Sequence, residues 1–97
     1  MALLLPVVRR VNVPLGRLVA TPGVLHEVDH AELAQALARH ASGDWGLVDP
    51  RDARANDDAL LHGARLLSIY ETAGGVRFWL ITEADRSSTT ALLPDEY

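Results

Sequence analysis

At 97 residues, 48% hydrophobic and 23% charged, the chain can bury one modest core and is too apolar for a disordered segment. It has no cysteine, which excludes a disulfide framework, a thiol nucleophile and a Cys-ligated zinc site. Net charge is −4, lysine is absent and no arginine run exceeds Arg9-Arg10, so nucleic acid is disfavoured as a partner.

Residues 1–14, MALLLPVVRRVNVP, read as an N-terminal arm or strand. The apolar run is too short to span a membrane, and its arginines follow it, the reverse of a signal peptide. A cytoplasmic protein with no membrane partner is the expectation. Residues 15–97 are expected to form a single domain.

Leu15 to Thr21, closed by Pro22-Gly23, predicts a first strand. Asp29 and Glu32 then form a D-x-x-E helix start, in which Asp29 accepts from first-turn amides and Glu32 reaches back. Leu33, Ala34, Leu37, Ala38 and Ala41 recur at helical spacing, so the helix should run from His30 to His40, ended by Ser42-Gly43. Asp49-Pro50 opens a second helix, with proline where no amide is needed and Gly63 past its end. Asp57 and Asp58 are expected to point outward. Arg65–Glu71, Val76–Glu83 and Ser88–Leu93 predict three strands joined by the Thr72–Gly75 and Ala84–Ser87 turns.

The order is β-α-α-β-β-β. It predicts a two-layer α+β domain, two helices on a small, mostly antiparallel sheet. In the central strand Val76, Phe78 and Leu80 alternate with Trp79 and Ile81, so both faces carry large apolar groups. One face is expected to be left for a partner.

Four stretches could carry chemistry. His26-Glu27-Val28-Asp29-His30 matches the zinc-peptidase motif H-E-x-x-H, which needs both histidines one turn apart on a continuous helix. A cap at Asp29 breaks that helix, so no metal site is expected. Trp45, between Gly43-Asp44 and Gly46, is either an exposed aromatic anchor or a plug on a small core, and the plug is the favoured reading. Thr82 to Thr90 gathers Glu83, Asp85, Arg86 and five hydroxyls, Ser88 and Thr89 among them. They could supply a general base, an oxygen ligand or an anion clamp, or simply close a hydrogen-bonded turn. The aspartates of the second helix, interrupted by Arg51 and Arg54, read as a solvated face and not as a mimic of phosphates.

The succession GDWG, RLLSIY and ITEADRSSTTALLPDEY, within Leu15–Tyr97, resembles a family of short uncharacterised bacterial proteins carried on plasmids, prophages and other mobile elements. That resemblance carries no established activity and so transfers little mechanism. It implies a role against host defence, such as restriction or CRISPR systems, or in plasmid regulation.

The expected function is a small non-catalytic module that binds another protein, with no cofactor. Its expected contact residues are Asp44, Trp45, Trp79, Glu83, Asp85, Arg86, Ser88 and Thr89. A homodimer through the open sheet face or the last strand edge is the self-partner this pattern allows. The alternative is a small RelE/ParE-like toxin or nuclease using Glu83, Asp85 and Arg86 with His62 or Tyr70. That analogy is topological, and the acidic charge speaks against it.

Overall fold

The computed structural model describes residues 11–97. In chain order it has β1 (Arg17–Ala20), α1 (Pro22–Glu27), α2 (His30–Ala41), α3 (Pro50–His62), β2 (Leu66–Glu71), β3 (Arg77–Thr82), β4 (Ser88–Leu92) and a closing 3-10 turn, Pro94–Glu96. This is the expected α+β class with one helix more than expected.

The added helix is α1. Thr21 Oγ1 accepts from Val24 N at 3.3 Å, and Pro22 occupies the first helical turn. Six residues are too few to show a periodic apolar face, so a capped turn passes for a loop in sequence. Extended Val28 ends it. Asp29 then starts α2, Oδ2 accepting from Ala31 N and Glu32 N at 3.1 and 3.3 Å.

Glu32 does not reach back as expected. Its Oε1 instead accepts from Ala73 N at 2.8 Å, because the β2–β3 hairpin brings that amide within reach. The buried residues of α2 are Ala36 and His40, flanked by partly buried Leu33 and Leu37, while Ala34 and Ala38 face solvent. α3 begins as expected, with Asp49 Oδ1 accepting from Asp52 N at 2.8 Å, and ends on left-handed Gly63.

The sheet order is β1-β4-β3-β2. β2, β3 and β4 form the expected antiparallel meander, with Ser68 opposite Leu80 and Thr82 opposite Thr89. β1 lies parallel to β4, from Arg17 beside Ser88 to Ala20 beside Ala91. The last strand is therefore internal and offers no free edge. Side-chain alternation encodes faces and not strand order, so the sequence could not place it.

Phe78, Leu80 and Thr82 face the helices, together with Ser68, Tyr70 and Ala91. Val24, Val28, Ala36, Tyr70, Phe78, Leu80 and Ala91 form one core cluster. Val13, Trp45, Ala59 and Leu66 form a second, with Val11 and Leu15 packed against it. Val13 N also donates to Ala41 O at 2.8 Å. Val11 and Val13 of the expected arm thus contact the domain, and residues 1–10 of that arm lie outside the described residues.

The opposite face is less open than expected. Ile81 and Leu92 are buried there, and the Tyr97 ring lies 5.5 Å from Trp79. Arg65 fastens that ring by donating to Tyr97 Oη at 3.1 Å. Among the described residues no helix is long and apolar enough to cross a membrane.

Candidate functional site

The H-E-x-x-H match falls across two helices. His26 is in the last turn of α1, His30 opens α2, and extended Val28 and capping Asp29 separate them. The shared helical face that zinc chemistry needs is absent. Among the described residues no group of three acidic or histidine side chains could hold a metal ion.

Trp45 is the plug. It is 6% exposed, its ring meets His40 edge-on at 5.7 Å, and Nε1 donates to Asp57 Oδ1 at 3.1 Å. It cannot serve as an exposed anchor. Asp57, expected to point outward, stays exposed and still serves this bond. Asp44 accepts from Arg39 Nε at 2.7 Å and Nη2 at 3.1 Å, and from Gly46 N at 3.1 Å. The Arg39 guanidinium beside it holds the Asp44 carboxyl below its ordinary range. Arg39 in turn lies 4.8 Å from the centre of the Tyr70 ring. Tyr70 donates its hydroxyl to Asp44 O, and burial pushes that phenol up to about 12. A general acid or base role for Tyr70 does not fit.

The β3–β4 turn likewise spends its charged groups on partners within the molecule. Arg86 sits in the left-handed region, φ 62°. Its guanidinium donates to Ala64 O at 2.6 Å and Ala59 O at 3.1 Å, at the end of α3, and to Glu83 O at 3.1 Å. Ala59 O also accepts from Gly63 N at 2.9 Å and Ala64 N at 3.2 Å, and Glu83 O from Arg86 N at 2.9 Å, so the guanidinium ties the end of α3 to the turn. Arg86 is thus not available as an anion clamp. Asp85 Oδ1 accepts from Ser87 N at 2.9 Å, and its bonds to Ser87 hold its carboxyl below the ordinary range. Glu83 pairs with Arg65 at 3.2 Å. Ser88 O accepts from Glu83 N at 3.0 Å.

Two of the five hydroxyls, those of Thr82 and Thr89, turn inward. Ser68, Thr82 and Thr89 are buried, and so is His40, a residue whose place in the core the sequence hid. His40 Nδ1 lies 2.6 Å from Ser68 Oγ and Nε2 lies 2.8 Å from Thr82 Oγ1. Thr82 Oγ1 is 2.7 Å from Thr89 Oγ1, which donates to Leu15 O at 2.7 Å. The direction of this chain follows from its end. Thr89 spends its one proton on Leu15 O, so it accepts from Thr82. Thr82 then has no proton left and accepts from His40 Nε2–H. His40 Nδ1 is unprotonated and accepts from Ser68.

A serine bonded to a histidine invites comparison with a nucleophile and its base. Both are fully buried, and neither lines the 80 Å³ cleft beside Arg39 and Tyr70 nor the 150 Å³ groove between β1 and α2. Among the described residues every buried side-chain nitrogen and oxygen has a partner. Burial, with the Arg86 charge second, pushes His40 down to about 4, so the ring is neutral near pH 7. The chain is a satisfied polar seam between the two apolar clusters.

The expected contact residues therefore do not form one surface. Trp45 and Thr82 meet at His40 inside the core, Trp79 lies on the opposite face of the sheet, Arg86 binds carbonyls at the end of α3 and in its own turn, Glu83 pairs with Arg65, and Asp85 binds Ser87 N.

The two sheet edges differ sharply. At β2, the Asn56 side chain donates to Leu67 O at 2.7 Å and accepts from Leu67 N at 3.1 Å. The Trp45–Leu47 segment then covers Ile69, with Ile69 N donating to Trp45 O at 3.2 Å and Leu47 N to Ile69 O at 2.7 Å. Only glycine fits at position 46, where φ is 72° and a Cβ would meet Ile69 O at 2.0 Å. At β1 the described residues supply no such cover. Leu18 is 58% exposed and Val19 42%, beside the apolar groove lined by Ala20, Leu33 and Leu37. No protein-family model matches the chain, and no curated protein and no solved structure matches it.

Proposed function

We propose that the chain is a small non-catalytic protein-binding module whose contact surface is the β1 edge of the sheet. The single observation behind this is the contrast between the edges. A sheet edge presents unpaired amides and carbonyls and is usually covered, charged or broken. Here the β2 edge is sealed by Asn56 and the Trp45 loop, whereas β1 carries exposed Leu18 and Val19 beside a groove. Adding a strand to such an edge draws affinity from main-chain bonds and specificity from side-chain pockets. In the plasmid or prophage setting that the resemblance suggests, such a module would act against host defence or in plasmid regulation.

The residues named for catalysis support the non-catalytic side of this reading. Asp85, Arg86 and Tyr70 are spent on backbone groups, and Ser68 and His40 are closed to solvent. A photo-crosslinking residue at position 18 should form protein adducts in cells, and the same probe at Leu47, also exposed but on the sealed edge, should not. Equal yields at both positions would remove β1 as the surface. Cleavage of RNA or DNA lost in Asp85→Ala, with the variant still folded, would establish an enzyme instead.

A further inference from the structure

We infer that the partner at the β1 edge is a second copy of this chain, joined strand to strand in antiparallel register centred on Val19. The inference rests on the β1 surface proposed above and names its occupant.

Main-chain geometry comes first. Arg17 N donates to Ser87 O at 2.9 Å and Thr21 N to Ala91 O at 3.0 Å. In a parallel ladder the alternate residues therefore face β4, and Leu18 and Ala20 turn their amides and carbonyls outward. Among the described residues nothing pairs with them. An antiparallel pair across a two-fold axis at Val19 sets Leu18 of each copy opposite Ala20 of the other. Each such pair can exchange both of its hydrogen bonds, and the two Val19 side chains meet between them at the closer spacing of a non-hydrogen-bonded pair.

Side chains agree with this register. Leu18 and Ala20 lie on the helix-facing side, since they align with Thr89 and Ala91. Leu18 of the second copy would thus stand over Ala20 and enter the 150 Å³ groove lined by Leu33 and Leu37, which the described residues leave unfilled. An isologous contact requires self-complementarity of this kind, a protruding group and a hollow on the same patch.

Charge agrees as well. Val19 opposite Val19 sets Arg17 of each copy beside Thr21 of the other, on the face away from the helices. Thr21 Oγ1 donates to Glu96 Oε1 at 2.6 Å, and Gly23 N holds Glu96 Oε2 at 3.2 Å, which fixes the carboxylate at that position. With a further one from Leu93 N at 2.8 Å, these bonds hold the Glu96 carboxyl below its ordinary range, Thr21 contributing most. Among the described residues Arg17 joins no ion pair. The two-fold axis therefore matches each unpaired arginine with a positioned carboxylate. Helices stay on one side, and the two sheets become one continuous sheet with both free edges consumed.

Sedimentation velocity tests this on the full chain across a dilution series up to about 100 μM, a hundredfold above a micromolar Kd. The expected result is a dimer that Val19→Lys converts to monomer, with an unchanged circular dichroism spectrum, because Val19 is exposed. Arg17→Glu should weaken the dimer at least tenfold in low salt and by less in high salt, since exposed charges are screened. A wild-type chain that stays monomeric throughout overturns the inference, and so does a dimer indifferent to Val19→Lys and Arg17→Glu. In a monomer that still crosslinks through position 18 to a different protein, the binding reading survives and only the second copy is lost. Absence of any adduct at position 18 counts against the surface itself.

Discussion

His40 shows how a residue type misleads at the smallest scale. Near a helix C-terminus, a histidine reads as a solvated cation favoured by the helix dipole. Here it is fully buried and bonded on both ring nitrogens, and its pKa is pushed down to about 4 by burial. Folding therefore favours the neutral ring. Stability from this group is complete above the ordinary value of 6.5 and erodes as pH falls from there to about 4. The expected loss is about 3 kcal/mol over that interval. Urea unfolding at pH 7, 5.5 and 4 should show it as a midpoint that falls before Asp44 and Asp85 begin to protonate. A midpoint flat between pH 7 and 5 would mean that the seam does not hold the ring neutral.

Arg86 does at the level of elements what the sequence offered as chemistry. The β3–β4 turn requires a left-handed residue, for which a side chain costs roughly 1–2 kcal/mol. The guanidinium offsets that by closing the end of α3 and the turn together, through charge-assisted bonds worth about 1.5–3 kcal/mol each. Arg86→Ala keeps the backbone cost and loses the bonds, so it should destabilise by about 2–4 kcal/mol. Arg86→Gly loses the same bonds and removes the strain, and should retain about 1 kcal/mol more than Arg86→Ala. Thermal or urea unfolding of the two variants measures the difference. Equal stability would mean that position 86 carries no backbone strain. The polar residues of this turn were visible in sequence as a cluster; that they point at carbonyls of α3 depends on residues more than twenty positions away.

At the scale of the whole molecule, the described residues seal one edge of the sheet and leave the other open. Hydrogen exchange should report that division directly. The amides of Leu67 and Ile69, bonded to Asn56 and Trp45, should be protected close to the global unfolding limit. Those of Leu18 and Ala20 should exchange fast in dilute protein and slow markedly as concentration rises and the β1 edges pair. Concentration-independent protection at residues 18 and 20 would contradict an edge that closes by association.

Much of the fold was legible along the chain because its causes are local. Asp29 and Asp49 mark helix starts, Gly63 marks an end, and alternation from Arg77 to Thr82 marks a two-faced strand; each depends on neighbours within a turn or a pleat. The plug reading of Trp45 was also available, since so few aromatic residues must fill the core. The tertiary structure alone decided that β4 is internal, that His40 lies inside with Ser68, Thr82 and Thr89, and that Glu32, Asn56 and Arg86 serve backbone groups far along the chain. A hydroxyl or a charge has the same identity in sequence whether it meets water, a ligand or a buried carbonyl, and only packing determines which of these it meets.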